Sequence, residues 1–483
     1  MRKRPVAMLI LILMTAMSLA PAYAQGTVTA GDFQYELDEG GKATITFYTG
    51  SETGTLVIPD QLDGHTVAAI GKAAIMGNQF TSVVIPAGLT VIPPGTFANC
   101  EYLASFDVAA GNPVFEQVEG ILFDKTQKQL HTYPRGRPAA DYQIPAGTLL
   151  IGSGAFLSSE LLVTVSLPDS LTAIGENAFN GCKLLGSLTV SGSVSSIGSG
   201  AFAGCASLQS VYIPGSVKSI GTGFLDGCLS LSSLTVAADN PVFEVVGGVL
   251  FDKAQKMLHT YPQTLTDEIY QVPDGTLQIG ALAFSSCVNL TSVTIPDSVT
   301  AIGESAFMNC TKLKDVVLPK GLSRLEAGVF STCGKLYSIA VPDSVTYIGP
   351  QAFFNCTDLR NVNIPYGVTA LEPYTFAYCG NIRDIAIPGT VTSIGDGTFM
   401  ACDFMTNVWI PSGVQTIGAY AFAECAVLTV AAIPASVTVI GDQAFSGNAS
   451  MVANVVENSY AHQYFTQYNL PFALINPEGR DSI

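Results

Sequence analysis

Basic residues, histidine and tryptophan are scarce in this chain of 483 residues. Its 21 Lys and Arg are outnumbered by 38 Asp and Glu, which gives a formal net charge of −17. Because nucleic acids are bound by clustered positive charge, this balance argues against a nucleic-acid partner. The sequence has four His and lacks His-Glu-x-x-His, Gly-x-Ser-x-Gly and phosphate-loop motifs. It therefore predicts neither an enzyme nor a cofactor.

A long apolar segment occurs once, at the N-terminus. Basic residues 2–4 precede an apolar run over 6–20, and Ala22 and Ala24 flank Tyr23. This pattern predicts a cleaved signal peptide over residues 1–24, and hence a protein that is secreted or held at the cell surface. The alternative is an uncleaved anchor, although the run is shorter than the ~20 residues that span a bilayer. After cleavage we expect no membrane span and an acidic, soluble protein.

A 23-residue repeat fills most of the chain. Ile-Gly pairs or their Leu equivalents recur every 23 residues over 151–220 and 279–440, with earlier members at Ile70 and Ile92 and two intervals of 59 residues. A fixed period of 20–29 residues indicates a leucine-rich-repeat solenoid, because one such unit cannot bury its apolar face alone. We expect an α/β repeat solenoid of about 14 coils over residues 65–450.

Each unit reads Ile-Gly-x-x-x-Phe-x-x-Cys-x-x-Leu-x-x-Val-x-Ile-Pro, as in IGESAFMNCTKLKDVVLP from Ile302. The alternation in Val-x-Ile predicts a strand that proline ends, and a second extended piece leads to the next Ile-Gly. The middle of the unit suits a single helical turn. Two units have Ile75 or Leu225 in place of the Phe, so we expect distortion there.

Every cysteine occupies one position of the unit. The odd count at a single ladder position argues against a disulfide framework. Exchange with Asn78, Ser159 and Asn448 indicates a buried side chain that satisfies backbone groups. Oxidation of neighbouring cysteines to disulfides is the alternative. A metal site is not expected, because its ligands would have to converge on one point and the row spreads them along the solenoid. The predicted row of free thiols consists of Cys100, Cys182, Cys205, Cys228, Cys287, Cys310, Cys333, Cys356, Cys379, Cys402 and Cys425.

Two related segments interrupt the repeat. NPVFEQVEGILFDKTQKQLHTYP begins at Asn112, and NPVFEVVGGVLFDKAQKMLHTYP begins at Asn240. Each predicts a β-hairpin, within inserts over 109–145 and 237–273. His131 and His259 are copies of one another in these hairpins, which favours a structural role over catalysis.

The ends of the chain depart from the repeat. Alternating strands over 25–64, separated by Gly40 and Gly41, predict an N-terminal β cap. Residues 451–483 predict an α/β cap, in which Asn458 or Ser459 begins a short helix and a strand follows Pro471. Such caps cover coil ends that would otherwise pair with other chains.

The unit, the two inserts, the YTGSETGTLVIP opening and the SYAHQYFTQYNLPF ending together resemble the BspA-like leucine-rich-repeat proteins of bacteria. The resemblance implies a curved, right-handed solenoid with a sheet along its inner face. It also implies a secreted or surface protein that binds other proteins, such as host matrix or cell-surface proteins. The chain has no cell-wall sorting motif and no Gly/Ser/Pro-rich stalk, which leaves its retention at the surface open.

Binding is therefore the leading functional hypothesis, for a monomer that contacts its partner through the outward side chains of the Val-x-Ile strands. The single tryptophan should protrude there, and exposed aromatic residues are common hot spots, although it could instead only shield the sheet. Carbohydrate binding is the alternative, if Tyr366, Tyr374, Tyr378 or Tyr420 shares the tryptophan's face. Calcium is not expected, because each acidic turn supplies one carboxylate. The candidate binding residues are Trp409, Tyr212, Asn363, Asn361, Asp384, Asn407 and Asp315.

Overall fold

The computed structural model describes residues 27–75, 77–98 and 100–475. The predicted signal peptide and residues 476–483 of the predicted C-terminal cap lie outside them. The described chain is a β-solenoid of about 19 turns with almost no helix. That is more than the roughly 14 coils counted from the sequence, because strands in both inserts and at the C-terminus also join the stacked ladders.

The strands are short and follow the repeat along the chain. Before the first insert they are β1 (Val28–Ala30), β2 (Phe33–Leu37), β3 (Ala43–Tyr48), β4 (Thr55–Val57), β5 (Gln61–Leu62), β6 (His65–Ile70), β7 (Ser82–Ile85) and β8 (Ser105–Val108). The first insert holds β9 (Phe115–Val118), β10 (Ile121–Asp124) and β11 (Gln129–Thr132). Between the inserts lie β12 (Asp141–Gln143), β13 (Leu150–Ile151), β14 (Thr164–Ser166), β15 (Ala173–Ile174), β16 (Ser196–Ile197), β17 (Ser210–Ile213), β18 (Ser219–Ile220) and β19 (Ser233–Val236).

The second half repeats this order. Its insert holds β20 (Phe243–Val246), β21 (Val249–Asp252) and β22 (Met257–Thr260). The solenoid continues with β23 (Ile269–Gln271), β24 (Gln278–Ile279), β25 (Ser292–Thr294), β26 (Ala301–Ile302), β27 (Asp315–Val317), β28 (Arg324–Leu325), β29 (Ser338–Ile339), β30 (Tyr347–Ile348), β31 (Asn361–Val362), β32 (Ala370–Leu371), β33 (Ser393–Ile394), β34 (Asn407–Trp409), β35 (Thr416–Ile417), β36 (Val430–Ile433) and β37 (Val439–Ile440). The chain ends with β38 (Val452–Val456), α1 (Tyr460–Gln467) and β39 (Phe472–Ile475).

Two parallel ladders run along the solenoid, each offset by one repeat between neighbouring strands. In the strand ladder, formed by the Val-x-Ile segments, Val293 of β25 lies opposite Val316 of β27. In the Ile-Gly ladder, Ile279 of β24 lies opposite Ile302 of β26. Such equal spacing keeps the same residue type buried in every coil. The strand ladder is not continuous, because residues 384–386 form no strand.

A third row of contacts, here called the turn ladder, joins the segments between Ile-Gly and Cys. Ser305, Phe307 and Asn309 each donate a backbone hydrogen bond of 2.8–2.9 Å to the next coil. The residues two before and two after the Phe have positive φ, for example 53° at Ser305 and 60° at Asn309. The left-handed residues at these two positions exclude the predicted helical turn, since a helix needs consecutive right-handed residues. Within the described residues the only helix is α1.

Phenylalanine rings fill the centre of each coil. Phe353 is fully buried and lies between Phe330 and Phe376, with ring centroids 5.7 and 5.5 Å apart and nearly parallel planes. The expected distortion does not affect the backbone hydrogen bonds that join the two departing units to their preceding coils. The Phe202 amide bonds the Phe224 carbonyl, as in regular coils, and Leu225 takes the Phe position. Ile75 is likewise buried, and its carbonyl accepts a hydrogen bond from the thiol of Cys100 in the next unit.

Each insert is a three-stranded antiparallel unit that also supplies a ladder position. Strand β10 pairs antiparallel with both β9 and β11, and Leu130 of β11 lies parallel to Ile151. Tyr133 takes the Phe position, with its ring stacked on Phe156 at 5.0 Å. The 59-residue intervals therefore each hold an additional coil, which lacks the Ile-Gly signature.

The inserts divide the buried core into three. Leu122 of β10 packs into the N-terminal core, whereas its neighbours Ile121 and Phe123 pack into the middle core. In the second insert Leu250 belongs to the middle core, and Val249 and Phe251 belong to the C-terminal one. Alternate side chains of one strand point to opposite faces, so each hairpin separates two cores.

The two ends continue the stacking. At the N-terminal side β1, β2, β3, β6 and β5 form one sheet, in which β3 and β6 are parallel. At the other end β38 and β39 extend the strand ladder beyond β36. The predicted helix is confirmed, with the Ser459 side chain accepting the backbone N–H of His462 at its N-cap.

Candidate binding surface

The exposed side of the strand ladder, here called the strand face, carries the residues that the sequence nominated. Val408 is buried, and Trp409, the next residue, is 65% exposed. Trp409 lies opposite Ala432 in the neighbouring strand, and Ala386 occupies the same position one coil earlier. Because both neighbours are small, the indole projects from the sheet into solvent.

The structure does not bring the nominated residues together. Tyr212 is 46% exposed, but it belongs to the two-stranded sheet of β17 and β19, whereas Trp409 lies in the sheet of β34, β36, β38 and β39. Asp315 lies on β27, in a third sheet. These residues therefore can contribute to one extended interface but not to one compact pocket.

The nominated polar residues differ in how free they are. Asn361, Asp315 and Asp384 are exposed, and Asn407 is half-buried. The side chain of Asn363 is occupied, since its amide accepts from the Val341 N–H at 2.8 Å and donates to the Val341 carbonyl at 2.7 Å. Asn363 thus substitutes for strand hydrogen bonds beyond the end of β31. This contact supports the stacking of the coils, which the sequence pattern did not indicate.

The tyrosines considered for a carbohydrate site do not lie on the strand face. Tyr366 is 80% exposed in the turn after β31. Tyr374, Tyr378 and Tyr420 lie on the turn ladder instead. The spacing of Tyr374 and Tyr420, two repeats apart, is the signal that places them at one ladder position.

The cysteine row lies on the inside of the solenoid. All eleven cysteines are buried and free. Each thiol donates to a carbonyl of the preceding coil at 3.0–3.5 Å, as from Cys310 to Phe284, and Asn448 makes the equivalent bond at 2.8 Å. Burial raises the pKa of Cys182 and Cys310 to about 12. The thiolate, which is the reactive form, is therefore suppressed at these two cysteines.

The duplicated histidines connect coils across the hairpins. The His131 Nε2–H donates to the Ile92 carbonyl at 2.8 Å, and Nδ1 accepts from the Thr132 hydroxyl at 2.8 Å. His259 repeats this arrangement with the Ile220 carbonyl and Thr260. Burial lowers the pKa of both imidazoles. Because both ring nitrogens are occupied in a buried site, these residues are structural.

Neither a metal site nor a membrane helix is found in the part of the chain that the structure describes. No group of three or more His, Cys, Asp or Glu there could hold a metal ion. None of its helices has the length and apolar character to cross a bilayer.

The 23-residue unit, with its Phe stack and thiol row, matches a known family. The model of the BspA type leucine rich repeat region matches residues 47–134, 138–253, 266–352 and 324–452. The chain belongs to the BspA-type leucine-rich-repeat family. No match was found among curated proteins.

Solved structures of other bacterial leucine-rich-repeat proteins are similar to this BspA-type chain. A leucine-rich cell surface protein from Faecalibacterium prausnitzii is 28% identical with a TM-score of 0.46, covering 75% of this chain and 95% of that one. A leucine-rich-repeat protein from Bacteroides ovatus is 20% identical with a TM-score of 0.47, covering 93% and 100%. The pneumococcal vaccine antigen PcpA is 18% identical with a TM-score of 0.42, covering 93% and 99%.

Proposed function

We propose that this BspA-type protein is a non-catalytic binding protein that acts outside the cell, secreted or held at the cell surface. Its partner is another protein, such as a host matrix or cell-surface protein, contacted through the strand face. The main support is the exposure of Trp409 between small neighbours, because protruding aromatic residues dominate many interfaces. Family membership supports the same reading, since leucine-rich repeats generally bind and do not catalyse.

We further propose the organisation that goes with this function. Residues 1–24 are a signal peptide, 25–64 an N-terminal cap, 65–450 the repeat region with inserts at 109–145 and 237–273, and 451–483 a C-terminal cap. Parallel strands joined by crossovers are nearly always right-handed, which supports a right-handed solenoid. The protein acts as a monomer, without a cofactor.

A pull-down with the mature chain as bait tests the function. Extracellular-matrix proteins and host-cell lysate are the samples from which a partner would be captured. For any partner identified, Trp409→Ala should weaken binding by at least 1 kcal/mol, which is about the hot-spot threshold. Phe404→Ala is the matched control, because Phe404 is an exposed aromatic residue outside the strand ladder. Unchanged affinity of the folded Trp409→Ala protein would remove the strand face around this residue from the interface.

Carbohydrate binding on the strand face is the alternative and has less support. A sugar site usually needs two or three rings close together, and the tyrosines near Trp409 in sequence lie on other surfaces. A glycan array that binds the protein, with no binding to matrix proteins, would reverse this order.

A further inference from the structure

The exposed side of the turn ladder carries a group of aromatic rings that the strand-face hypothesis does not use. Tyr374 and Tyr378 flank Phe376 at two residues on either side, and Tyr420 repeats the first of these positions two coils later. The coil between them has Gly397 and Ala401 at these positions. Small residues therefore separate the large ones and leave room for the rings to extend along the solenoid.

One ring lies over the intervening coil, and another packs against an aromatic ring of the preceding coil. A Cβ atom on Gly397 would overlap the Tyr374 ring, so that ring covers the glycine in the direction of Tyr420. Tyr378 packs edge-on against Phe354, with centroids 5.4 Å apart. Tyr374 and Tyr378 are half-buried, and Tyr420 is 38% exposed. We call Phe354, Tyr374, Tyr378 and Tyr420 the tyrosine platform.

The backbone under the platform favours smaller residues. Tyr374, Tyr378 and Tyr420 have φ of 57°, 62° and 56°. Most other coils place Gly, Asn or Ser at these positions, although Leu282 and Gln351 also occur there, and Asn309 and Asn355 have φ of 60° and 56°. Left-handed backbone is unfavourable for bulky side chains and readily adopted by Gly and Asn. The local fold therefore does not require tyrosine at these three positions.

Carboxylates without cationic partners border the platform. Asp396 and Glu424 are exposed beside Tyr374 and Tyr378, and Asp403 is exposed near Glu424. None of the ion pairs in the described residues involves these three carboxylates. Partial desolvation by the surrounding residues and the neighbouring Glu424 charge together raise the pKa of Asp403, as expected for like charges left unpaired.

We propose that the tyrosine platform, with Asp396 and Glu424, binds arginine or lysine side chains from a basic segment of a protein partner. The rings offer their faces to a cation, and the carboxylates accept its hydrogen bonds. The proposal rests on the proposed protein-binding function but uses a surface separate from the strand face. The overall net charge of −17 would also attract a basic segment.

Charge decides between this occupant and a neutral sugar. A sugar could stack on the rings and donate hydroxyl hydrogen bonds to the carboxylates, but it carries no positive charge to neutralise them. A guanidinium or ammonium group satisfies the rings and the carboxylates together.

The test is calorimetric titration of the full mature chain with a hexa-arginine peptide. In the double variant Tyr374→Asn/Tyr420→Asn, asparagine replaces the rings while suiting the left-handed backbone, so the fold is kept. We expect this variant to bind about tenfold more weakly, from the loss of two cation–π contacts. Glu424→Gln should also weaken binding, by a few-fold.

Two controls separate the platform from other surfaces. Tyr366→Asn removes an exposed tyrosine outside the platform, and Trp409→Ala alters the strand face. Both should bind hexa-arginine as the parent does, even if Trp409→Ala abolishes binding to a protein partner. The proposal is overturned if the parent does not bind hexa-arginine, if the double variant binds it equally well, or if Tyr366→Asn loses as much affinity. Platform-dependent binding of chitohexaose in place of hexa-arginine would also overturn it.

Discussion

The stacked phenylalanines make a strong prediction for Phe353→Ala. The ring is fully buried and stacks on rings in both neighbouring coils, at 5.7 and 5.5 Å. Truncating a buried Phe to Ala typically costs 3–5 kcal/mol, and each aromatic pair adds about 0.5–1.5 kcal/mol to what burial alone contributes. We expect the free energy of unfolding to fall by about 4 kcal/mol.

Urea denaturation measures this loss, with the fluorescence of Trp409 as the reporter. Its neighbour Val408 belongs to the same C-terminal core as Phe353, so the signal follows that core. Phe353→Leu should cost only about 1–2 kcal/mol, because Leu225 occupies the same ladder position elsewhere and its coil keeps the hydrogen bond from the Phe202 amide. Phe404→Ala, at a half-exposed ring, should change stability by no more than about 0.5 kcal/mol.

A loss below about 1 kcal/mol for Phe353→Ala would refute the reasoning, provided that circular dichroism shows the variant folded. It would mean that the rings do not form a tightly packed row. A loss equal to that of Phe404→Ala would lead to the same conclusion.

Three further predictions concern the thiols, the histidines and the platform. A thiol reagent such as DTNB should leave the native protein unmodified and react with all eleven cysteines in guanidinium, whereas rapid native labelling would contradict their burial. Burial lowers the folded-state pKa of His131 and His259, so the unfolded chain gains protons first, and stability should fall as pH drops below about 6.5. Melting temperatures at pH 7.5 and 5 should therefore differ less in His131→Gln/His259→Gln than in the parent, and an equal difference would exclude this role. Tyr420→Gly should raise the free energy of unfolding by about 1 kcal/mol, because glycine suits φ of 56°, and a decrease would mean that ring packing outweighs backbone strain.

The repeat could be read from the sequence because each position has one physical task. Ile302 and Phe307 recur because a stacked coil offers the same buried site every 23 residues. The additional coil at Leu130 was missed because its strand continues into His-Thr-Tyr-Pro and lacks the Ile-Gly pair. The left-handed turn residues were missed because they include Leu282 and Gln351, which carry no such signal.

The candidate surfaces were predictable to different degrees. Alternation along one strand is a local property, so the exposure of Trp409 followed directly from Val408 being buried. The tyrosine platform depends on which coils lie side by side and on how a ring extends over Gly397. Those contacts join residues that are many positions apart in the sequence. The residues near Trp409 in the sequence therefore could not predict them. The engagement of Asn363 with Val341 is likewise a contact between coils.

The hairpins have a consequence for how such a protein can change in size. Strands β10 and β21 each present one face to the core before them and the other face to the core after them. A segment bounded by two hairpins therefore contains the side chains that close its own core at both ends. Removing or adding such a segment would require no refitting of the side chains that remain. The length of the molecule, and with it the reach of its outer surfaces, could thus vary in whole blocks while every surviving coil kept its neighbours.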